Sequence, residues 1–206
     1  MKRHLIVYAK CPLPGGAKTR LGATLGQTAA AGVYARLLYG YLLDLLATVG
    51  ETARIELSLG HRRDVPFFAH AFPELQVRSQ VRGDLGARMA ASFECAFDEG
   101  ADAVVLTGSD VPGLDGALVQ QAFAHLETDP AVIGPAADGG YYLIGMRPPG
   151  ADLFSEISWS TGDVLARTEA RARAQGLTLT RLPVLADIDV EADYAAWLGA
   201  QRGDPD

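Results

Sequence analysis

The residues best suited to chemistry open the chain. They read Lys10-Cys-Pro-Leu-Pro-Gly-Gly-Ala-Lys-Thr-Arg20. Three cations, Lys10, Lys18 and Arg20, share this loop with the consecutive glycines Gly15 and Gly16. Glycine lets backbone amides approach a ligand closely. Amide donors together with positive charge are what a phosphate group requires. The same residues would also serve as a solvated surface loop. Their place between a buried strand and a helix favours the phosphate reading. The loop is not a Walker A motif, which needs glycine just before the Lys-Thr pair and again five residues earlier. Ala17 and Pro12 occupy those positions.

Carboxylates supply the second kind of candidate. Asp110 ends Gly108-Ser-Asp110, just past an apolar run, where a carboxylate can hold magnesium or manganese with phosphate oxygens and water completing the shell. Such a metal would neutralise charge on a departing diphosphate. A helix N-cap or Asx turn accounts for Asp110 equally well. Asp138, in Asp138-Gly-Gly-Tyr-Tyr142, is a candidate general base for an acceptor, although Asp-Gly is by itself a hairpin signal. Asp187 and Asp189 flank one isoleucine and can point to one side as a further metal ligand. Taken alone, they read as the cap region of a final helix. In Gly83-Asp-Leu-Gly-Ala-Arg88, Arg88 can reach a phosphate or base, while Asp84 suits a helix cap. His4, His61, His70 and His125 show no ligand spacing. Cys11 and Cys95 show no paired or metal-like spacing and read as reduced thiols.

Elements able to position these residues follow from periodicity. Apolar runs predict strands over Leu5–Ala9, Arg54–Leu59, Leu75–Gln80, Ala103–Thr107, Ala131–Gly134, Tyr141–Met146 and Leu177–Leu185. Helices are predicted over about residues 28–48, 64–72, 83–99, 116–127, 162–175 and 191–200. The alternation predicts a three-layer α/β/α sandwich with a mixed, mostly parallel sheet. Ligands bind at the carboxyl ends of strands in such sheets. Lys10, its loop and Asp110 all fall at strand carboxyl ends.

With 206 residues, 49% hydrophobic and 21% charged, the chain reads as one globular domain over 1–206. A net charge of −7 and a pI near 5.1 make nucleic acid an unsuitable partner. No export signal or membrane span is apparent, so a cytoplasmic chain is expected. The tail Arg202–Asp206 is expected to fray.

Six motifs occur in the order of one known family. They are Ala9 to Leu21, Gly83-Asp-Leu-Gly86, Gly108-Ser-Asp-Val-Pro112, Gly134 to Gly145, Trp159-Ser-Thr161 and Asp187-Ile-Asp189. The chain thus resembles the DUF2064 glycosyltransferases, also described as radical-SAM/selenodomain-associated transferases, over nearly its whole length. The resemblance implies the GT-A, Rossmann-like fold of nucleotide-diphospho-sugar transferases. It implies nucleotide phosphates on Lys10, Lys18 and Arg20, with Ala9, Gly15, Gly16, Gln80, Asp84 and Arg88 on the nucleotide side. It puts Mg2+ or Mn2+ on Asp110 with Asp189 or Asp187, and Asp138, Gly139, Gly140, Tyr141 and Trp159 on the acceptor side. Two departures stand out: Ser109 replaces the first acid of a D-x-D pair, and Val190 replaces the usual Thr after Asp189.

Three functions fit these residues. The leading one is a glycosyltransferase using a nucleotide sugar and a small-molecule acceptor, with Asp110 and Asp138 as catalytic groups. The second is a nucleotidyltransferase, similar to molybdenum-cofactor or phospholactate nucleotidyltransferases, for which a strongly basic first loop suits a triphosphate donor. The third is a non-catalytic nucleotide-binding module. Base, sugar, acceptor and oligomeric state are not encoded in any motif.

Overall fold

In the computed structural model, seven strands form one sheet: β1 (Arg3–Ala9), β2 (Arg54–Leu59), β3 (Gln76–Ser79), β4 (Ala103–Thr107), β5 (Ala131–Pro135), β6 (Tyr141–Met146) and β7 (Leu179–Arg181). Their order is β3-β2-β1-β4-β6-β5-β7. The structure describes residues 1–202, so the frayed-tail expectation lies outside the described residues beyond Arg202. Among the described residues, seven α-helices complete the fold: α1 (Thr19–Leu25), α2 (Gln27–Thr48), α3 (Val65–Ala71), α4 (Leu85–Asp98), α5 (Gly116–His125), α6 (Val164–Ala174) and α7 (Glu191–Arg202).

Side chains alternate across a strand, so a central strand with two apolar faces needs a helical layer on each side. In β1, Leu5, Val7 and Ala9 enter one core with Tyr34, Leu38, Tyr41, Leu42 and Leu45 of α2 and with Val119, Ala122 and Phe123 of α5. Ile6 enters the other core with Met89, Phe93 and Ala96 of α4 and Ala172 of α6. The α2 positions recur at three- and four-residue spacing, the signature of one buried helical face. The result is the expected α/β/α sandwich.

β1 pairs in parallel with both β2 and β4. The chain leaves β1 toward β2 and β3, then returns to its other side as β4. β1 and β4 therefore flank the point where strand order reverses, and a crevice opens at their carboxyl ends. β6 runs antiparallel to both β4 and β5.

One predicted strand is shorter than expected, and one helix is additional to those predicted. The strand expected over Leu177–Leu185 is paired only over Leu179–Arg181, with one further bridge from Leu185 to Ala136. Pro183 lacks the N–H that would continue the ladder. Helix α1 was not anticipated, because seven residues beside a Pro/Gly-rich loop show too short a period. It ends at Gly26, whose φ of 86° suits glycine.

Phe123 is fully buried between α5 and the sheet. Phe123→Ala is expected to cost about 3–5 kcal/mol of unfolding free energy. Urea denaturation followed by circular dichroism would measure it.

Candidate active site

β1 delivers Lys10 to the crevice, and the chain then turns tightly. Leu13 N–H donates to Cys11 O at 2.8 Å, and Gly16 N–H donates to Leu13 O at 2.9 Å. Gly15 makes the turn at φ 77°. The turn returns Lys18 to the crevice as the residue preceding α1. Its φ is 50°, a left-handed backbone uncommon for a residue with a side chain. Outliers of this kind cluster at functional sites.

The Lys18 side chain is only 2% exposed. A buried ammonium needs opposite charge nearby. Asp110 Oδ2, arriving from β4, lies 2.9 Å from Lys18 Nζ, and Asp189 Oδ1 lies 4.0 Å away. Arg20 Nη1 also pairs with Asp189, at 3.2 Å. The cations after the first strand and the acids after the fourth strand and near the carboxyl end thus meet at one place. Despite its ion pair, Lys18 Nζ has no directed hydrogen bond.

Tyr34 braces this arrangement from α2. Its hydroxyl accepts from Lys10 N–H at 2.9 Å and shares a 2.9 Å hydrogen bond with Ser109 Oγ. The bond explains the serine that departs from D-x-D: Ser109 is 5% exposed, so an aspartate there would bury a carboxylate. About two turns further along the same helical face, the Tyr41 hydroxyl bonds Thr107 Oγ1 at 3.1 Å.

The crevice has a volume of about 300 Å3 and is lined by Tyr8, Ala9, Lys10, Lys18, Gln80, Arg88 and Asp110, among others. Arg88 Nη1 donates to Gln80 Oε1 at 2.9 Å, and Gln80 Nε2 donates to Ser58 O at 3.0 Å. The amide of Gln80 is therefore held at both ends.

Other candidates take local roles. Asp84 caps α4 by accepting from Ala87 N–H at 2.8 Å. Asp138 closes the turn between β5 and β6, accepting from Gly140 N–H at 2.8 Å. Gly139, at φ 89°, lies so close to the Gly162 carbonyl that a side chain would collide with it. Tyr141 packs in the second core, its hydroxyl 3.9 Å from Met89 Sδ. Trp159 packs over Gly86, where a β-carbon would lie 2.8 Å from the indole. Asp187 is pushed above the usual carboxylate range, first by burial and then by Asp189 and Asp138, with Lys18 opposing. That coupling places Asp138 within electrostatic reach of the acid pair. Tyr34 and Tyr8 are the aromatic crevice residues that sequence reasoning missed. Tyr34 sits in an Ala/Leu-rich helix and Tyr8 in an apolar strand, so neither carries a local signal.

Two carboxylates sharing one cation are a donor set that fits a hard divalent metal whose remaining ligands are phosphate oxygens and water. Among the described residues no group of three or more His, Cys, Asp or Glu could hold a metal, and no helix is long and apolar enough to cross a membrane.

An open α/β sheet whose switch-point crevice gathers lysines, an arginine and an aspartate defines a class: transferases with the nucleotide-diphospho-sugar transferase fold. The chain belongs to the DUF2064 family, described as an uncharacterized protein conserved in bacteria, whose family pattern matches residues 45–161. The crystal structure of a protein from Desulfovibrio desulfuricans G20, assigned as a nucleotide-diphospho-sugar transferase, superposes with a TM-score of 0.89 at 34% identity, over 99% of this chain and 90% of that one. The 2-phospho-L-lactate guanylyltransferase of Methanothermobacter thermautotrophicus is 27% identical over 144 residues, 69% of this chain and 62% of that protein. The chain thus spans less than two thirds of that relative's length. Two structures share the fold at lower identity. CMP:2-keto-3-deoxy-manno-octonic acid synthetase complexed with CTP has a TM-score of 0.60 at 16% identity, over 98% of this chain and 100% of that one. A Mycobacterium tuberculosis H37Rv protein in complex with manganese has a TM-score of 0.54 at 18% identity, over 97% of this chain and 100% of that one.

Tyr34→Phe leaves Lys10 N–H and Ser109 Oγ without their partner, so a loss of roughly 1–3 kcal/mol is expected in chemical denaturation. Alkaline pH supplies a second prediction. Burial pushes the Tyr8 phenol up to about 12 from its ordinary value of 10.0. Above the unfolded value the unfolded chain releases this proton while the folded one keeps it. Stability is therefore intact below pH 10 and falls as pH climbs toward 12. Melting temperatures across that window should decline less steeply in Tyr8→Phe.

Proposed function

We propose that this transferase is a nucleotidyltransferase: a phosphate oxygen of a small acceptor attacks the α-phosphorus of a nucleoside triphosphate, and the bond to the departing pyrophosphate breaks. One observation carries the reading. The buried Lys18 ammonium is held 2.9 Å from Asp110 and 4.0 Å from Asp189 in the switch-point crevice. Lys10, Lys18 and Arg20 form the concentration of positive charge that a triphosphate needs in a protein of net charge −7. Asp110 and Asp189 would hold Mg2+ or Mn2+, and the manganese complex of a protein with this fold supports that choice. When bound, the metal supplies Lewis acidity and neutralises charge on the leaving group. The chain's own cations orient the phosphates, while Arg88 and Gln80 border the same crevice. The guanylyltransferase relative supports nucleotidyl rather than glycosyl transfer. A phosphorylated acceptor is already anionic and needs no strong base, which suits an Asp138 engaged in closing its own turn.

Glycosyl transfer from a nucleotide sugar is the second reading. The 34% identical protein assigned as a nucleotide-diphospho-sugar transferase favours it. There Asp138, exposed at its turn, would take the proton of an acceptor hydroxyl.

Incubation with each nucleoside triphosphate, Mn2+ or Mg2+ and a panel of phosphorylated acceptors is expected to release pyrophosphate. Release of nucleoside diphosphate from nucleotide sugars, with no pyrophosphate, would replace this reading by the second. Asp110→Ala is expected to lower kcat/KM on the order of a hundredfold or more while the protein stays folded.

A further inference from the structure

Lys18 already occupies the position where a cation would meet Asp110 and Asp189. Its ammonium is 2.9 Å from one carboxylate and 4.0 Å from the other, and Arg20 claims the second oxygen of Asp189 at 3.2 Å. The lysine cannot simply swing into water, because its side chain is 2% exposed. Its backbone is held at φ 50° by the start of α1, where Gly22 N–H donates to Lys18 O at 2.9 Å. The ammonium is paired but carries no directed hydrogen bond. It is a tethered cation with unused donors.

We infer that Lys18 is a built-in counter-ion that keeps free divalent metal off Asp110 and Asp189, so that the site accepts its metal only together with nucleotide phosphates. This inference rests on the nucleotide-and-metal reading above and names the form in which the substrate enters. A hard divalent ion takes about six oxygen ligands. Here the protein offers two carboxylates, and no larger donor group exists among the described residues. A bare ion arriving alone must displace an ammonium that cannot leave and then endure its repulsion at a few ångströms. Phosphate oxygens reverse both terms. They accept the unused N–H donors of Lys18 and offset its charge, so the ammonium stays in place without repelling the metal, and they supply the missing ligands of the metal. Metal and nucleotide therefore bind with positive coupling, and the coupling is reciprocal.

The test contains no nucleotide, so its failure is separate from failure of the pyrophosphate assay. Mn2+ alone is titrated into the protein and the bound fraction read by electron paramagnetic resonance, with thermal melting to verify folding. Lys18→Met is expected to bind Mn2+ more tightly than the natural chain by about tenfold or more, the size of an ordinary binding coupling. Lys18→Met combined with Asp110→Asn should lose that gain, which locates the ion. Lys18→Gln, which removes the charge but keeps a polar side chain, serves if the methionine variant does not fold. Equal Mn2+ affinity in the natural chain and the folded Lys18 variant would overturn the inference. So would a gain that survives loss of the Asp110 charge.

Discussion

A lysine ammonium with 2% of its side chain exposed cannot stand without negative charge beside it. Removing one partner of a buried pair typically costs about 3–5 kcal/mol, because the other charge is left stranded. Here the partners are half exposed, 46% for Asp110 and 39% for Asp189, so water screens part of that cost. The pair nevertheless ties three distant stretches of chain to one point: the loop after β1, the end of β4 and the approach to α7. Tight turns, a left-handed residue and short helix α1 together bring the ammonium there.

Helix α2 supplies the rigidity. At 22 residues it spans roughly 33 Å at the α-helical rise. Tyr34 and Tyr41, seven residues apart, lie on one helical face. Both hydroxyls bond the carboxyl end of β4, through Ser109 and Thr107. Tyr34 additionally receives the amide of Lys10, so the same side chain spaces the basic loop from the acidic one. Fixed spacing matters because electrostatic stabilisation works best when the groups need not reorganise as charge develops.

The acidic surface and the basic crevice serve different ends. A net charge of −7 disfavours polyanions, while the crevice brings Lys10, Lys18 and Arg88 together. The carboxylates inside it temper that positive charge until a ligand brings its own. Asp187, raised by burial beside Asp189 and Asp138, shows how densely acids gather on this side of the sheet.

Much of this protein is legible in its sequence. The alternation of apolar runs with helical periods specifies the layered α/β sandwich. The Lys/Gly/Arg loop and the acids after buried strands are also visible there, because strand-end chemistry is local and survives in short motifs. Strand lengths near Pro183 and the short helix α1 escaped, since pairing partners and seven-residue periods leave weak local traces. Only the tertiary structure decided that Lys18, rather than Lys10 or Arg20, is the buried cation between Asp110 and Asp189. It also decided that Ser109 is a hydrogen-bonded core group held by Tyr34, and that Tyr141 and Trp159 pack into the fold. These outcomes depend on distances between residues up to 171 positions apart, such as Lys18 and Asp189, and no local pattern encodes such distances.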